Sequence, residues 1–282
     1  MEIEPLVEYF SVFGGLDTEI EIGYFDDILA VMDSHFVQSF AHYESLIRPS
    51  YLLESPYKEL LCAIASGDGK FYSALRKAKL SEVAGEHIIE ELIALNILSL
   101  EHSREAPLRV HPKHKLKKSQ RAYKIQHKLR FNQPFLRFWF GFVAPYSKDL
   151  AQHKGTAFLQ NFSQYSQRLR SLVFEQLCNA LLLKHLNDTQ HIISSGSYWN
   201  IHSEFDILAI TSKKKIFLGE CKYKDRNVCK NELSKLKQKA QASNIPVDTY
   251  VLFSKNGFSK ELHAMKDKNV LLFDVGDLRG LI

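Results

Sequence analysis

The chain has 282 residues, 45% hydrophobic and 24% charged, which is enough to bury one large core or two modest ones and too apolar for a disordered chain. Its net charge of +5 conceals an asymmetry: residues 1–50 carry ten acids against Arg48 alone, whereas residues 106–148 carry eleven bases and no acid. The acidic amino terminus lacks the basic-then-apolar order of a secretory signal. The most apolar later run, Phe135–Pro145, is interrupted by Arg137 and too short to span a bilayer, so the expected setting is soluble and cytoplasmic, with no membrane partner.

Residues 1–50 read as an acidic helical segment, with apolar positions from Phe25 to Phe40 at mixed three- and four-residue spacing. Pro49, Ser50, Ser55 and Pro56 then punctuate the chain. A helix is predicted from Pro56, with Tyr57, Leu60, Leu61 and Ile64 on one stripe and Gly67 as its stop. The string GDGK at Gly67–Lys70 lacks the spacing and the hydroxyl of a phosphate-cradling loop, so ATP binding by that route is not expected. Further helices are predicted at about Phe71–Ala78 and Val83–Leu95, the latter burying Ile88, Leu92 and Leu95. Two short apolar runs, Ile97–Leu100 and Leu108–Val110, follow around a polar turn.

Three helices and a two-stranded ribbon outline a winged helix-turn-helix over residues 51–130, with the third helix in the position of a major-groove reader. That helix, however, offers Glu86, Glu90 and Glu91, which phosphates repel. The basic ribbon and its continuation, "HPKHKLKKSQRAYKIQHKLR", are better suited to DNA; Arg109, Lys113, Lys115, Lys117, Lys118, Arg121 and Lys124 are the candidate contacts, with a solvated lysine-rich face as the alternative. The acidic first fifty residues are complementary in charge to this surface and are a candidate competitor for it.

Residues 131–163 read as an aromatic helical connector. Its "FLRFWFGFVAPY" has six aromatics in twelve positions, either buried in a core or available for base stacking. Residues 164–282 form the last predicted domain: an amphipathic helix at about Gln164–Asn187 carrying Glu175, strands "HIISSGSYW", "EFDILAI" and "KIFLGECKY", a basic helix at about Val228–Ser243, the strand "DTYVLFS", a short helix and the strand "NVLLFDV". Three strands in a meander followed by a helical crossover predict a mixed sheet flanked by helices. Cys62, Cys178, Cys221 and Cys229 form no C-x-x-C pair, and the histidines show no partnered zinc spacing.

Within "EFDILAI" and "IFLGECKYKD", Asp206, Glu220 and Lys222 sit at the ends of apolar strands, with Glu220 and Lys222 on one face because strand side chains alternate. If these strands are hairpin neighbours, Asp206 and Glu220 meet. Two carboxylates that close repel unless a divalent cation neutralises them, and hard oxygen donors suit magnesium, with manganese as its substitute. Such an ion activates water and stabilises charge growing on a phosphate; Lys222 would assist, and Glu175 would complete a carboxylate cluster. The structural alternative is a Glu220–Lys222 ion pair at a strand end, with Asp206 capping a turn.

These residues resemble the PD-(D/E)XK nuclease superfamily. "FD", "GECKYK" and a preceding helix with "VFEQL" follow its order of elements, with Phe205 where the nominal motif has proline. The chain is also similar to the carboxy-terminal half of archaeal-type DEXX-box ATPases, through Gly196 with Trp199, Glu204 with Asp206, and Gly219–Lys222. Upstream, "SPYKELLCAIASG", "IIEELIALNIL" and the aromatic segment extend the likeness, but the ATPase core is absent. The resemblance implies an α/β (α+β overall) chain, with a helical amino-terminal part containing the winged helix and then a restriction-endonuclease-like mixed sheet. It implies metal binding by Asp206, Glu220 and the Cys221 carbonyl, catalysis by Lys222, and DNA cleavage leaving a 5′-phosphate. The competing expectations are a catalytically inactive nuclease-fold DNA-binding or regulatory protein and an accessory subunit of a separate ATPase or other protein. A double-strand cut needs two active sites, which makes a homodimer a candidate assembly.

Overall fold

A computed structural model of the chain describes residues 3–20, 27–107, 109, 111, 113, 115, 116, 118, 121, 123–187, 190–200, 203–265 and 267–282. The expected apolar position Phe25, the apolar pair Leu108 and Val110, and Lys117 lie outside these residues. The fold is mixed α/β, and its contacts divide the chain into two units. A helical unit comprises Glu8–His102 and Gln126–Leu169, and a sheet unit comprises Met1–Val7, Ser103–Ile125 and Arg170–Ile282.

The helical unit begins in α1 (Ile3–Phe13) and continues through α2 (Ile28–Met32), a π-helical stretch at Asp33–Gln38 and α3 (Phe40–Ser45). Met32, Phe36 and Ile47 are fully buried in its core. The described residues of the acidic first fifty therefore contribute to a hydrophobic core; deleting them would remove core, not merely a charged cover.

Three helices follow: α4 (Tyr57–Ser66), α5 (Phe71–Ala78) and α6 (Glu82–Ala94). The Ser81 side chain caps α6 by accepting the Ala84 N–H, and Asn96, at φ +57°, takes the left-handed conformation that ends it. Gly85 lets α6 approach α5, since a Cβ there would lie 2.2 Å from Leu75 Cδ2. Ile88, Ile89 and Leu92 fill the buried face, but Leu95, expected among them, is 40% exposed.

β1 (Leu98–Glu101) pairs antiparallel with β2 (Lys128–Phe131), from Leu98↔Phe131 to Glu101↔Lys128. The return strand of the ribbon is thus twenty residues further on than the Leu108–Val110 run suggested. After β2, α7 (Pro134–Phe138) leads into a π-helical turn at Trp139–Val143, and Phe135, Phe138, Trp139 and Phe140 are buried. Rings so enclosed serve packing, which leaves none of these four faces open to stack on bases. α8 (Ser147–Leu150) then precedes the 32-residue α9 (Thr156–Asn187), longer at its start than the periodicity indicated.

One polar contact of α6 departs from its sequence reading. Glu86 and Glu90 are exposed, but the Glu91 carboxylate accepts the hydroxyls of Tyr51, at 2.6 Å, and Tyr57. These two hydrogen bonds hold Glu91 below the usual carboxylate range and push Tyr57 up to about 12. Because the folded carboxyl is the stronger acid, the contact stabilises the fold above the ordinary carboxylate range and is lost as pH falls through the lowered value. Glu91→Gln is expected to lower Tm at pH 7, with the gap to the native chain closing in acid; a gap that does not depend on pH would refute this account.

The sheet unit carries five strands in the order β3 (Ile192–Ser194), β6 (Ile207–Thr211), β7 (Ile216–Lys222), β8 (Thr249–Ser254) and β9 (Val270–Asp274). The first two pairings are antiparallel and the last two parallel. α10 (Lys230–Ala242) and α11 (Lys260–Ala264) make the crossovers that the parallel pairs require. One sheet face packs Ile207, Ala209, Phe217, Val251 and Phe253 against Phe174, Cys178 and Leu182 of α9; the other packs Leu208, Leu218 and Leu252 against Leu233, Leu236 and Ala240 of α10.

Two segments read as single strands are each broken in two. Gly196, at φ +143°, turns the chain after β3, and a separate hairpin of β4 (Tyr198–Trp199) and β5 (Glu204–Phe205) follows before Asp206 opens the way to β6. Among the described residues no helix is long and apolar enough to cross a membrane.

Candidate active site

β6 and β7 pair antiparallel with Ile207 opposite Gly219, so the residues just outside that pair, Asp206 and Glu220, come together at one end of the two strands. Gly219 suits this register because a Cβ there would sit 3.1 Å from Ile207 Cβ. Asp206 is anchored by the backbone: its Oδ2 accepts the Cys221 N–H at 2.7 Å. The β4–β5 hairpin supports it from the other side of the chain, since Trp199 and Phe205 are buried, and Gly196 O accepts the Leu208 N–H at 2.7 Å. In this setting the G-x-x-W pattern builds the approach to Asp206.

Glu220 Oε1 accepts from Lys222 Nζ, and Glu220 Oε2 faces Lys239 Nζ of α10 at 3.8 Å. Lys239 also lies 4.6 Å from the centroid of the buried Phe205 ring, a cation–π geometry. Burial, then the neighbouring Glu220 charge, pushes the Asp206 carboxyl up to about 6 against the opposing pull of the Cys221 N–H, Lys222 and Lys239. For Lys222, burial acts to lower the ammonium, but the charge and hydrogen bond of Glu220 outweigh it and raise it.

The structure thus brings Asp206, Glu220 and Lys222 together and adds Lys239, which the sequence reading missed. Its signal was its place in α10, next to Ala240 of the buried Leu233–Leu236–Ala240 stripe, where a lysine stem can run along the apolar face. Glu175, on α9, acts together with Asp206 on the Cys178 and Cys221 thiols, which burial already holds above the ordinary range. Of the Cys221 backbone groups, the N–H is the one that Asp206 engages. Among the described residues no group of three or more His, Cys, Asp or Glu side chains is arranged to hold a metal ion.

The donors that do meet still suit a hard cation. They are two half-buried carboxylates, and Asp206 carries a raised pKa because desolvation, and then the neighbouring Glu220 charge, outweigh the Cys221 N–H and the two lysines. Asp206 and Glu220 are the residues that would hold magnesium or manganese.

Of the expected DNA contacts, Arg109, Lys113, Lys115, Lys118, Arg121 and Lys124 are exposed, while Lys117 lies outside the described residues. They sit in residues 103–125, which cluster with the sheet unit. Arg104, also missed in the sequence, fastens this segment by donating to Leu208 O (3.0 Å), Gly196 O (3.0 Å) and Ser197 O (2.8 Å).

Residues 139–240 match the DUF234 model, a family of archaeal and bacterial proteins of unknown function. No curated protein matches the chain. Among solved structures it is similar to a protein of unknown function, AF1548, at 14% identity over 36% of this chain and 58% of that one, with a TM-score of 0.26. Protein VC1899 from Vibrio cholerae is 14% identical over 91% of this chain and 55% of its own, with a TM-score of 0.31. Human N-acetylserotonin methyltransferase in complex with SAM is 10% identical over 89% and 67%, with a TM-score of 0.20. The chain therefore spans a little over half the length of the first two structures.

Proposed function

We propose that this chain is a magnesium- or manganese-dependent endonuclease that hydrolyses DNA phosphodiester bonds, with its active site in the sheet unit. The observation that carries the reading is the meeting of Asp206 and Glu220 at the paired ends of β6 and β7, with the Lys222 ammonium held on Glu220. The resemblance to PD-(D/E)XK nucleases supports the same roles. A bound divalent ion would supply an activated water and neutralise charge on the phosphate.

The chain's own residues do the rest. Asp206, locked by the Cys221 N–H, presents its second oxygen at a fixed place. Glu220 holds Lys222 so that its ammonium lies beside the two carboxylates, where it can orient a nucleophile or stabilise charge growing on a phosphate oxygen. Lys239, braced on Phe205, offers a second cation to the same phosphate.

A second reading has its own observation. Both Glu220 oxygens face lysines, which is the pattern of a self-contained ion-pair network. A nuclease-fold DNA-binding or regulatory protein, or an accessory subunit of a partner ATPase, would need no more than this. Incubating supercoiled plasmid and single-stranded DNA with the native chain in magnesium or manganese separates the two. The nuclease reading expects nicked and linear products that disappear in Asp206→Ala and Lys222→Ala. DNA binding without cutting in either metal would leave the scaffold reading standing.

A further inference from the structure

An acid-free run of exposed cations belongs to the sheet unit and not to the helical unit. Residues 103–125 connect β1 to β2, yet they cluster with the sheet. At their start Arg104 spends its planar guanidinium on three backbone carbonyls, those of Gly196, Ser197 and Leu208; Leu208 is two residues beyond Asp206. Near their end the Tyr123 hydroxyl donates to Glu105 Oε2 at 2.5 Å, so the two ends of the segment are tied to each other. Between these ties Arg109, Lys113, Lys115, Lys118 and Arg121 are all exposed, as is Lys124 just beyond them, and no acid interrupts them.

The helical unit is poorly furnished by comparison. The helix in the reader position, α6, exposes Glu86 and Glu90, and its Glu91 is engaged by two tyrosines. Exposed cations of this unit include Arg76, Lys77 and Lys79, at the end of α5, the helix that precedes α6 in the chain.

We infer that Arg109, Lys113, Lys115, Lys118, Arg121 and Lys124 form a phosphate-gripping strap of the sheet unit, which holds the DNA backbone without regard to base sequence, and that α6 is not the reader of DNA. This rests on the nuclease reading for the identity of the polyanion. Long exposed cations with few apolar residues between them in the chain suit a regularly charged backbone better than a packed protein interface. Because Arg104 binds the strand that Asp206 opens, the strap belongs to the same unit as the catalytic carboxylates.

The test is the binding of fluorescein-labelled 30-base-pair DNA to the full-length chain over a potassium chloride series in EDTA, where neither metal nor turnover contributes. Each phosphate neutralised on a duplex adds about 0.9 to the salt slope, so replacing the six cations with Gln should lower the slope by about 3 to 5 and weaken binding at least about 100-fold at low salt. Arg76→Gln with Lys77→Gln and Lys79→Gln should change it far less. The reverse ranking, or an unchanged slope in the six-fold variant, overturns the inference. So does a native chain that binds polyglutamate or RNA but not DNA. If the six-fold variant does not fold, Lys113→Gln with Lys115→Gln should still lower the slope by about 2, and no change in that pair also overturns it. A native chain that shows the strap-dependent slope yet cuts nothing in magnesium or manganese defeats the nuclease reading alone.

Discussion

Asp206→Asn should make the metal-free protein more stable at neutral pH while removing cleavage altogether. The half-buried carboxyl is desolvated beside Glu220 and is pushed up to about 6 from an ordinary 3.8. A raised carboxyl favours the fold most when protonated: that contribution is complete below the ordinary value and is lost as pH rises through about 6. The full change corresponds to about 3 kcal/mol, so the neutral amide should recover about 1 to 3 kcal/mol at pH 7.5 and almost none at pH 3. Asn keeps an oxygen for the Cys221 N–H and adds a donor toward Glu220, which makes it a close replacement.

The same substitution separates the two uses of this pair. A divalent ion held by Asp206 and Glu220 stabilises the folded chain by mass action, by about 2.7 kcal/mol at a hundredfold excess over its dissociation constant. Urea denaturation with and without 10 mM magnesium should show that gain in the native chain and not in Asp206→Asn. A native chain indifferent to magnesium and manganese, or an amide variant less stable than the native at pH 7.5, would count against a cation site here.

Lys222→Met should reduce single-turnover cleavage by about 100-fold or more, the usual loss when one positioned charge is removed from a phosphate or oxyanion site. The side chain is 27% exposed and holds Glu220, 17% exposed, so its removal leaves a half-buried carboxylate with Lys239 alone at 3.8 Å. The expected stability cost is about 1 to 2 kcal/mol, between that of an exposed and a buried pair. Lys239→Met should cost less in both respects, because it stands further from Glu220 and is 35% exposed. Cleavage that survives Lys222→Met but fails in Lys239→Met would transfer the catalytic role to α10.

Much of this fold was legible because strong local patterns decide it. The stripe Leu60, Leu61, Ile64 and the capping Ser81 place α4 and α6, and the runs around Ile216 and Val251 place two central strands. Asp206, Glu220 and Lys222 were legible for a related reason: charged residues at the ends of apolar strands stand out, and antiparallel register then brings the first two together. Lys239 shows where such reasoning stops, because which turn of a helix faces a given strand end depends on how the helix packs on the sheet.

What the amino-acid sequence determined by itself is the chemistry available: an acid-free basic segment, a pair of carboxylates with a lysine, and the helices and strands that carry them. Only the tertiary structure decided how these are shared out. It paired β1 with Lys128–Phe131 and assigned the intervening basic residues to the sheet unit through Arg104, a contact 104 residues away from Leu208 in the chain. It also turned Glu91 from an exposed repulsive charge into the acceptor of two tyrosines, and brought Lys239 to Glu220. The physical reason is common to all of these: local periodicity reports which face of an element is apolar, whereas hydrogen bonds and charge pairs between distant segments form only once packing has set the elements side by side.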